Sequence, residues 1–222
     1  MSIAERLSGV HARIEAACSR AGRSPDDVTL VGVTKGFPAE VVAEAVAAGL
    51  EDVGENRVQE AAEKIAALHA RGVCPRWHLI GHLQTNKAKT ALELFAILHS
   101  VDSLRLAQEL SRRTDKPLAV LIEVNVAQEA NKFGFTPQEL PAALTAVSAL
   151  PHLDVRGLMT VAPQSADPEA VRPVFRRLRE LRDDAGLREL SMGMTDDFEV
   201  AIEEGATMVR VGRAIFGPRP GA

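Results

Sequence analysis

A single lysine closes the most apolar run of the chain. Val28-Thr29-Leu30-Val31-Gly32-Val33-Thr34 is β-branched and uncharged, and Lys35-Gly36-Phe37-Pro38 follows it. An ammonium rooted among valines loses hydration, which lowers its pKa and frees the amine to attack a carbonyl. Taken alone, such a lysine reads equally well as a side chain snorkelling to solvent from a strand end. Two later stretches add weight to the chemical reading. Ser191-Met192-Gly193-Met194-Thr195 and Arg210-Val211-Gly212-Arg213-Ala214 each set a glycine beside hydroxyls or guanidinium groups where a strand hands over to a helix. Unpaired amides and the positive end of the helix dipole make such junctions phosphate sites. Asp196, Asp197 and Glu199 suit a helix N-terminus but would repel a phosphate, so their side chains are expected to point away.

Further candidates have plainer alternatives. Asn56, in Gly54-Glu55-Asn56, and His82, in Gly81-His82-Leu83-Gln84-Thr85-Asn86-Lys87, follow strands and are read as contacts for a ligand ring, whereas Lys87 and Lys89 read as solvated charges. His78, on an apolar strand, is expected to be a satisfied core histidine. Glu129, Lys132 and Gly134 divide evenly between a site and a surface turn. Cys18 and Cys74 match no metal-ligand spacing and no disulfide framework. No Ser/His/Asp triad, cysteine nucleophile or clustered metal ligands stand out, so no metal is expected.

The elements that must position these residues alternate strictly. A leading helix from Ser2 to about Gly22, with Ile3, Leu7, Val10, Ile14 and Ala17 at helical spacing, precedes the lysine strand. Strands are then expected at 51–53, 77–80, 97–101, 118–126, 155–160, 190–192 and 208–211. Helices are expected at 39–48, 57–71, up to about 94, 103–114, 137–149, 168–185, 196–204 and 213–216. Alternation of this kind implies a parallel sheet. Eight units can form an open doubly wound sheet, but eight also closes a (β/α)8 TIM barrel, and the barrel is preferred. Its ligand face then collects the residues that follow each strand, Lys35 and both glycine loops included. No linker, repeat or low-complexity tract divides the chain, so residues 1–222 are expected to form one barrel domain.

Composition narrows the partners. A net charge of -4 over 222 residues provides no basic field, which argues against nucleic acid or an anionic membrane. The charged, amphipathic N-terminus reads as a helix rather than a leader, and no apolar run reaches membrane length. Together with the sparse cysteines these features suggest a reducing, cytoplasmic setting.

In order along the chain, Val31-Gly32-Val33-Thr34-Lys35, Gly54-Glu55-Asn56 with Val58-Gln59-Glu60, Trp77-His78-Leu79-Ile80-Gly81 with Leu83-Gln84 and Asn86-Lys87, Arg156-Gly157-Leu158-Met159, Ser191-Met192-Gly193-Met194-Thr195-Asp196-Asp197 and Val209 to Gly217 together resemble the pyridoxal phosphate homeostasis protein family, also called the proline synthetase co-transcribed family. The resemblance spans nearly the whole chain. It implies a barrel similar to the N-terminal domain of alanine racemase, binding pyridoxal 5′-phosphate as a Schiff base on Lys35. It also implies a cofactor site made of Lys35, Asn56, His82, Met159, Ser191, Gly193, Thr195, Arg210, Gly212 and Arg213. Within that set Ser191, Gly193, Thr195, Gly212 and Arg213 would hold the phosphate, and Arg210 would meet either the phosphate or the ring nitrogen. Thr195 and His82 depart from the usual serine and proline of the family pattern. The resemblance further implies a monomer that holds vitamin B6 for homeostasis, with apo enzymes dependent on the cofactor as recipients.

Absent chemistry supports a carrier over an enzyme. A two-base racemase needs a second proton donor opposite its lysine, and the racemases resembled take a tyrosine from a further domain of the partner subunit, whereas this sequence has no tyrosine. The first alternative is a low-activity racemase or lyase in which His82 or a water replaces that base. A second alternative is an aldolase-like barrel in which Lys35 takes a sugar phosphate directly.

Overall fold

The structure is a computed structural model describing residues 1–218. Eight parallel strands pair in sequence order and close on themselves. They are β1 (Thr29–Val33), β2 (Asp52–Glu55), β3 (Arg76–Leu79), β4 (Ile97–Val101), β5 (Leu118–Glu123), β6 (Leu153–Met159), β7 (Glu189–Ser191) and β8 (Met208–Val211). The helices are α1 (Ile3–Ala21), α2 (Ala39–Ala47), α3 (Val58–His69), α4 (Ala88–Leu94), α5 (Leu104–Arg113), α6 (Leu140–Ser148), α7 (Arg172–Asp184), α8 (Phe198–Glu203) and α9 (Arg213–Phe216). The closed (β/α)8 barrel expected from the alternation is present. Closure comes from β1 lying parallel to β8, with Leu30 opposite Val209, Val31 opposite Arg210 and Gly32 opposite Val211.

Element ends differ where loop chemistry overrides apolar character. β5 stops at Glu123 rather than continuing to Val126, because the chain turns back on itself: Phe135 N–H donates to Glu123 O and Asn125 N–H to Phe135 O. β2 runs two residues further than its apolar character indicates, through Gly54 and Glu55. α6 and α8 begin at Leu140 and Phe198, each after a turn that occupies its first expected residues. Pro38 is the N-cap of α2, which begins at Ala39 as expected. α1 begins with a capping box, in which Ser2 Oγ accepts from Glu5 N–H while Glu5 accepts from Ser2 N–H. It packs on α8 and α9, and Arg6 donates to Ile215 O at 2.6 Å.

Two apolar clusters divide the interior. The larger lies between strands and helices and contains the buried face of α1 together with Val53, Leu79, Leu98, Val120, Leu158, Leu190 and Val209. The smaller, Ile97, Ala119, Leu121, Met159 and Met208, alternates with it along the strands and fills the barrel. Gly157 allows β6 to meet β7: a Cβ there would stand 1.9 Å from Glu189 O. Because that obstacle is backbone, Gly157→Ala is expected to lower stability by roughly 2 kcal/mol or more in urea unfolding; an unchanged midpoint would show that the β6–β7 seam can yield.

Candidate functional site

Lys35 leaves the end of β1 into a pocket of about 390 Å³. Val33, Phe37 and Met194 give it apolar walls, and Thr195, Arg210, Gly212 and Arg213 give it polar ones. The barrel therefore brings together five of the expected site residues, Lys35, Thr195, Arg210, Gly212 and Arg213, from β1 and from the segments that follow or end β7 and β8.

A buried ionic clamp sets the backbone on both sides of Lys35. Lys64 of α3, only 5% exposed along its side chain, donates to Thr34 O at 2.8 Å and pairs with the fully buried Glu55. Thr34 Oγ1 donates to the same Glu55 oxygen at 2.6 Å. Glu60, also paired with Lys64, accepts Gly36 N–H at 2.5 Å. Burial pushes the Glu55 carboxyl up, while Lys64 and Thr34 pull it down. A charge cluster this dry depends on mutual pairing, since removing one partner strands the others. Glu60 was visible in the sequence as part of a motif; Lys64 looked like an ordinary charge on an amphipathic helix.

The glycine loops are built for close approach. Gly193 has φ +90°, and a Cβ there would stand 2.5 Å from Ala201 Cβ and 2.9 Å from Phe198 Cα. Its carbonyl accepts Arg210 N–H at 3.0 Å, which ties the β7 loop to β8. Asp197 Oδ1 accepts Met194 N–H at 2.5 Å, and burial raises its carboxyl above the usual range. Glu199 turns outward to Arg13 and Arg20, as expected. Asp196 does not: it lines the pocket and forms an exposed ion pair with Arg213.

Several expected contacts lie elsewhere. Ser191 is fully buried inside the barrel, where its hydroxyl meets His99 Nδ1 at 2.8 Å and Arg210 Nη1 at 2.6 Å, and it does not line the pocket. Its position as the last residue of β7 on the inner face, rather than in the loop, is the reason. Met159, 1% exposed, belongs to the apolar fill of the barrel. His82 does not line the pocket: it stacks on Phe133 at 3.8 Å between ring centroids and bonds Asp102 at 2.5 Å. Asn56 also falls outside the pocket wall, and its Oδ1 is buried without a protein partner. Lys132 bonds Val161 O and Ala162 O and pairs with Glu129, which gives that loop a structural role. His78 is satisfied in the core, as expected.

The electrostatics of the mouth centre on Arg210. It is 4% exposed, with Nη2 donating to Thr160 O at 2.8 Å, and burial lowers its pKa to about 10 against the opposing pull of Glu123 and Asp197. It remains a cation at neutral pH. Burial and the nearby Asp102 raise Glu123 to about 7, with Arg210 and His82 opposing. Among the described residues no cluster of three His, Cys, Asp or Glu could hold a metal ion, and no helix is long and apolar enough to cross a membrane.

A closed parallel barrel with a lysine just after its first strand and glycine loops after its last two defines a class, and the family model described as alanine racemase, N-terminal domain, matches residues 7–220. The chain is 47% identical over 228 aligned residues to the pyridoxal phosphate homeostasis protein of Aquifex aeolicus, covering 99% of each. It is 48% identical to the protein of that name from Pseudomonas aeruginosa, covering 98% of this chain and 96% of that one. The solved structure of PipY from Synechococcus elongatus with PLP bound superposes with a TM-score of 0.85 at 38% identity, over 97% of this chain and all of that one. The chain belongs to the pyridoxal phosphate homeostasis protein family.

Glu123 provides a pH test of the mouth. The folded chain holds its proton more tightly than the unfolded one, so the corresponding stability is full below about pH 4.5 and is lost as pH rises through about 7. Glu123→Gln is expected to leave stability nearly unchanged at low pH and to raise it at about pH 8 by roughly 1–2 kcal/mol in urea unfolding; a gain independent of pH would contradict this placement.

Proposed function

We propose that this chain binds pyridoxal 5′-phosphate as a Schiff base on Lys35 and serves its homeostasis without catalytic turnover. The observation that carries the reading is the single pocket uniting Lys35 with Thr195, Gly212, Arg213 and Arg210. The chemistry of these groups suits such a ligand: an amine for an aldehyde, a guanidinium and a hydroxyl for a phosphate, and apolar walls for a ring. Its volume falls in the range of small-molecule sites. The PLP-bound relative adds support.

Bound, the cofactor would supply an electron-withdrawing ring able to stabilise a carbanion. The chain's own residues then divide the work. Arg213 and Thr195, with the turn at Gly212, would hold the phosphate at the rim, and the buried Arg210 would offer donors at the pocket floor. Asn56 Oδ1 would accept from a ligand hydroxyl or amine. Turnover by a two-base route would need a second proton carrier beside the ligand, and His82 is engaged by Asp102 and Phe133 away from the pocket wall. This favours a carrier over a racemase or lyase. The same reading makes apo enzymes that require the cofactor the recipients, and a monomer sufficient.

Incubation of the purified chain with pyridoxal phosphate, borohydride reduction and peptide mass mapping test the covalent site. The expected product is one reduced adduct on Lys35, with visible absorbance lost in Lys35→Ala. A colourless protein that refuses the added cofactor would overturn the reading and bring forward the sugar phosphate barrel. Deuterium exchange at the α-carbon of free amino acids is expected to be undetectable; exchange that depends on Lys35 would establish turnover.

The Arg213–Asp196 pair makes a separate prediction. Asp196 competes for the guanidinium and adds negative charge beside a phosphate site, so Asp196→Asn is expected to tighten pyridoxal phosphate binding by up to about fivefold. Arg213→Glu is expected to weaken it, and equal affinities in fluorescence titration of both variants would remove the phosphate from this rim.

A further inference from the structure

Two histidines on neighbouring strands have no part in the function proposed above. His78 of β3 and His99 of β4 are completely buried inside the barrel, with His78 Nδ1 2.8 Å from His99 Nε2. Each ring also has a second partner. His78 Nε2 lies 2.7 Å from Asp52 Oδ1, at the start of β2, and His99 Nδ1 lies 2.8 Å from Ser191 Oγ. Ser191 Oγ in turn lies 2.6 Å from Arg210 Nη1. Five side chains thus form one continuous hydrogen-bonded line from the N-terminal end of the barrel to the ligand pocket.

The chemistry of the ends fixes the two terminal links, and with both rings neutral it fixes those between them. Arginine only donates, and a carboxylate only accepts. Asp52, 3.2 Å from Arg76 Nε, therefore takes the proton of His78 Nε2, leaving Nδ1 of a neutral ring to accept from His99 Nε2–H. Burial, with the charge of Arg210, holds His99 far below the ordinary histidine range and hence neutral. Its Nδ1 then accepts the Ser191 hydroxyl proton, so that Ser191 Oγ keeps a lone pair for Arg210. Arg76 and Glu189 face the lower end of the line, and Glu123 and Asp197 face Arg210 at the upper end. Those two carboxylates would draw a loosely held guanidinium toward themselves; Ser191 and Thr160 O hold it at the pocket.

We propose that Asp52, His78 and His99 are positioning residues for Arg210, forming a one-way hydrogen-bond chain that fixes both histidines as neutral Nε2–H tautomers and keeps Ser191 an acceptor for the guanidinium. The chain gives the pocket floor a donor whose orientation is set from the far end of the barrel. Cooperative polarisation along the line strengthens each link, because all donors point the same way. The nature of the ligand rests on the function proposed above, whereas the histidine states do not.

Long-range proton–nitrogen NMR of the full chain with labelled histidine tests the line directly. Both buried rings are expected to be protonated on Nε2 alone, and His99 to stay neutral from about pH 5.5 to about pH 8.5, where free histidine titrates. A proton on Nδ1 of either ring would overturn the proposal. Ser191→Ala cuts the line beside Arg210, and Asp52→Asn removes its charged terminus at the opposite end of the barrel. Each is expected to shift the pH profile of the absorbance of added pyridoxal phosphate, and Ser191→Ala to weaken its binding about tenfold or more. Unaltered profiles in both variants, despite cooperative folding, would reduce the line to packing and refute its positioning role. A wild-type chain that takes up no pyridoxal phosphate would refute the proposed function, and the tautomers would then decide the hydrogen-bond chain alone.

Discussion

The pairing of β1 with β8 is the constraint on which the pocket depends. These strands come from opposite ends of the sequence, and their parallel register sets Val31 beside Arg210 and Gly32 beside Val211. Without that seam Lys35 would end an exposed strand edge, and the loops at Gly193 and Gly212 would face no amine. Closure also removes the unpaired backbone edge that an open sheet would carry. The outer helix α1 reinforces this side through Arg6, and through Arg13 and Arg20 on Glu199 and Glu203 of α8.

Barrel interiors are commonly filled by branched apolar side chains. Here only a small apolar cluster fills the interior, and the rest is occupied by Asp52, His78, His99, Ser191 and Arg210. Burying so many polar groups is tolerable because each has a partner within hydrogen-bonding distance, with a carboxylate at one end and a guanidinium at the other. In the Lys64–Glu55–Glu60 clamp Glu55 Oε1 is paired with Lys64 and Thr34, while its Oε2 is buried without a protein partner. Both networks converge on the pocket, one from behind Lys35 and the other from below Arg210. The pocket residues are therefore held mainly by dry polar contacts, while its rim, with Arg213 and Asp196 exposed, stays free to rearrange.

This division suits the carrier role proposed above. In the proposed role a rigid floor would favour one orientation, and the solvent-exposed rim would exchange its ion pair for a phosphate at little cost, since exposed pairs contribute about 1 kcal/mol or less. The described ionisable groups of the wall are Lys35, Asp196, Arg210 and Arg213.

The sequence by itself determined the alternation of eight strands and helices, the lysine at the end of the first strand and the glycine loops after the last two. Those features are local: apolar periodicity, helix breakers and strand-to-helix junctions are written within a few residues. It also carried the family, through short motifs preserved in order. What only the tertiary structure decided is which side chains share a space. Ser191 stands two residues before Gly193, yet the barrel's curvature turns it inward to His99 and Arg210 rather than to the pocket. His99 and Asp52 carried no signal, since a histidine in an apolar strand and an aspartate at a strand start are unremarkable until closure lines them up through His78. Lys64 was hidden in a charged helix, where only packing distinguishes a solvated lysine from one buried against two glutamates. Distances across a barrel depend on register and closure, and neither is encoded in the local pattern.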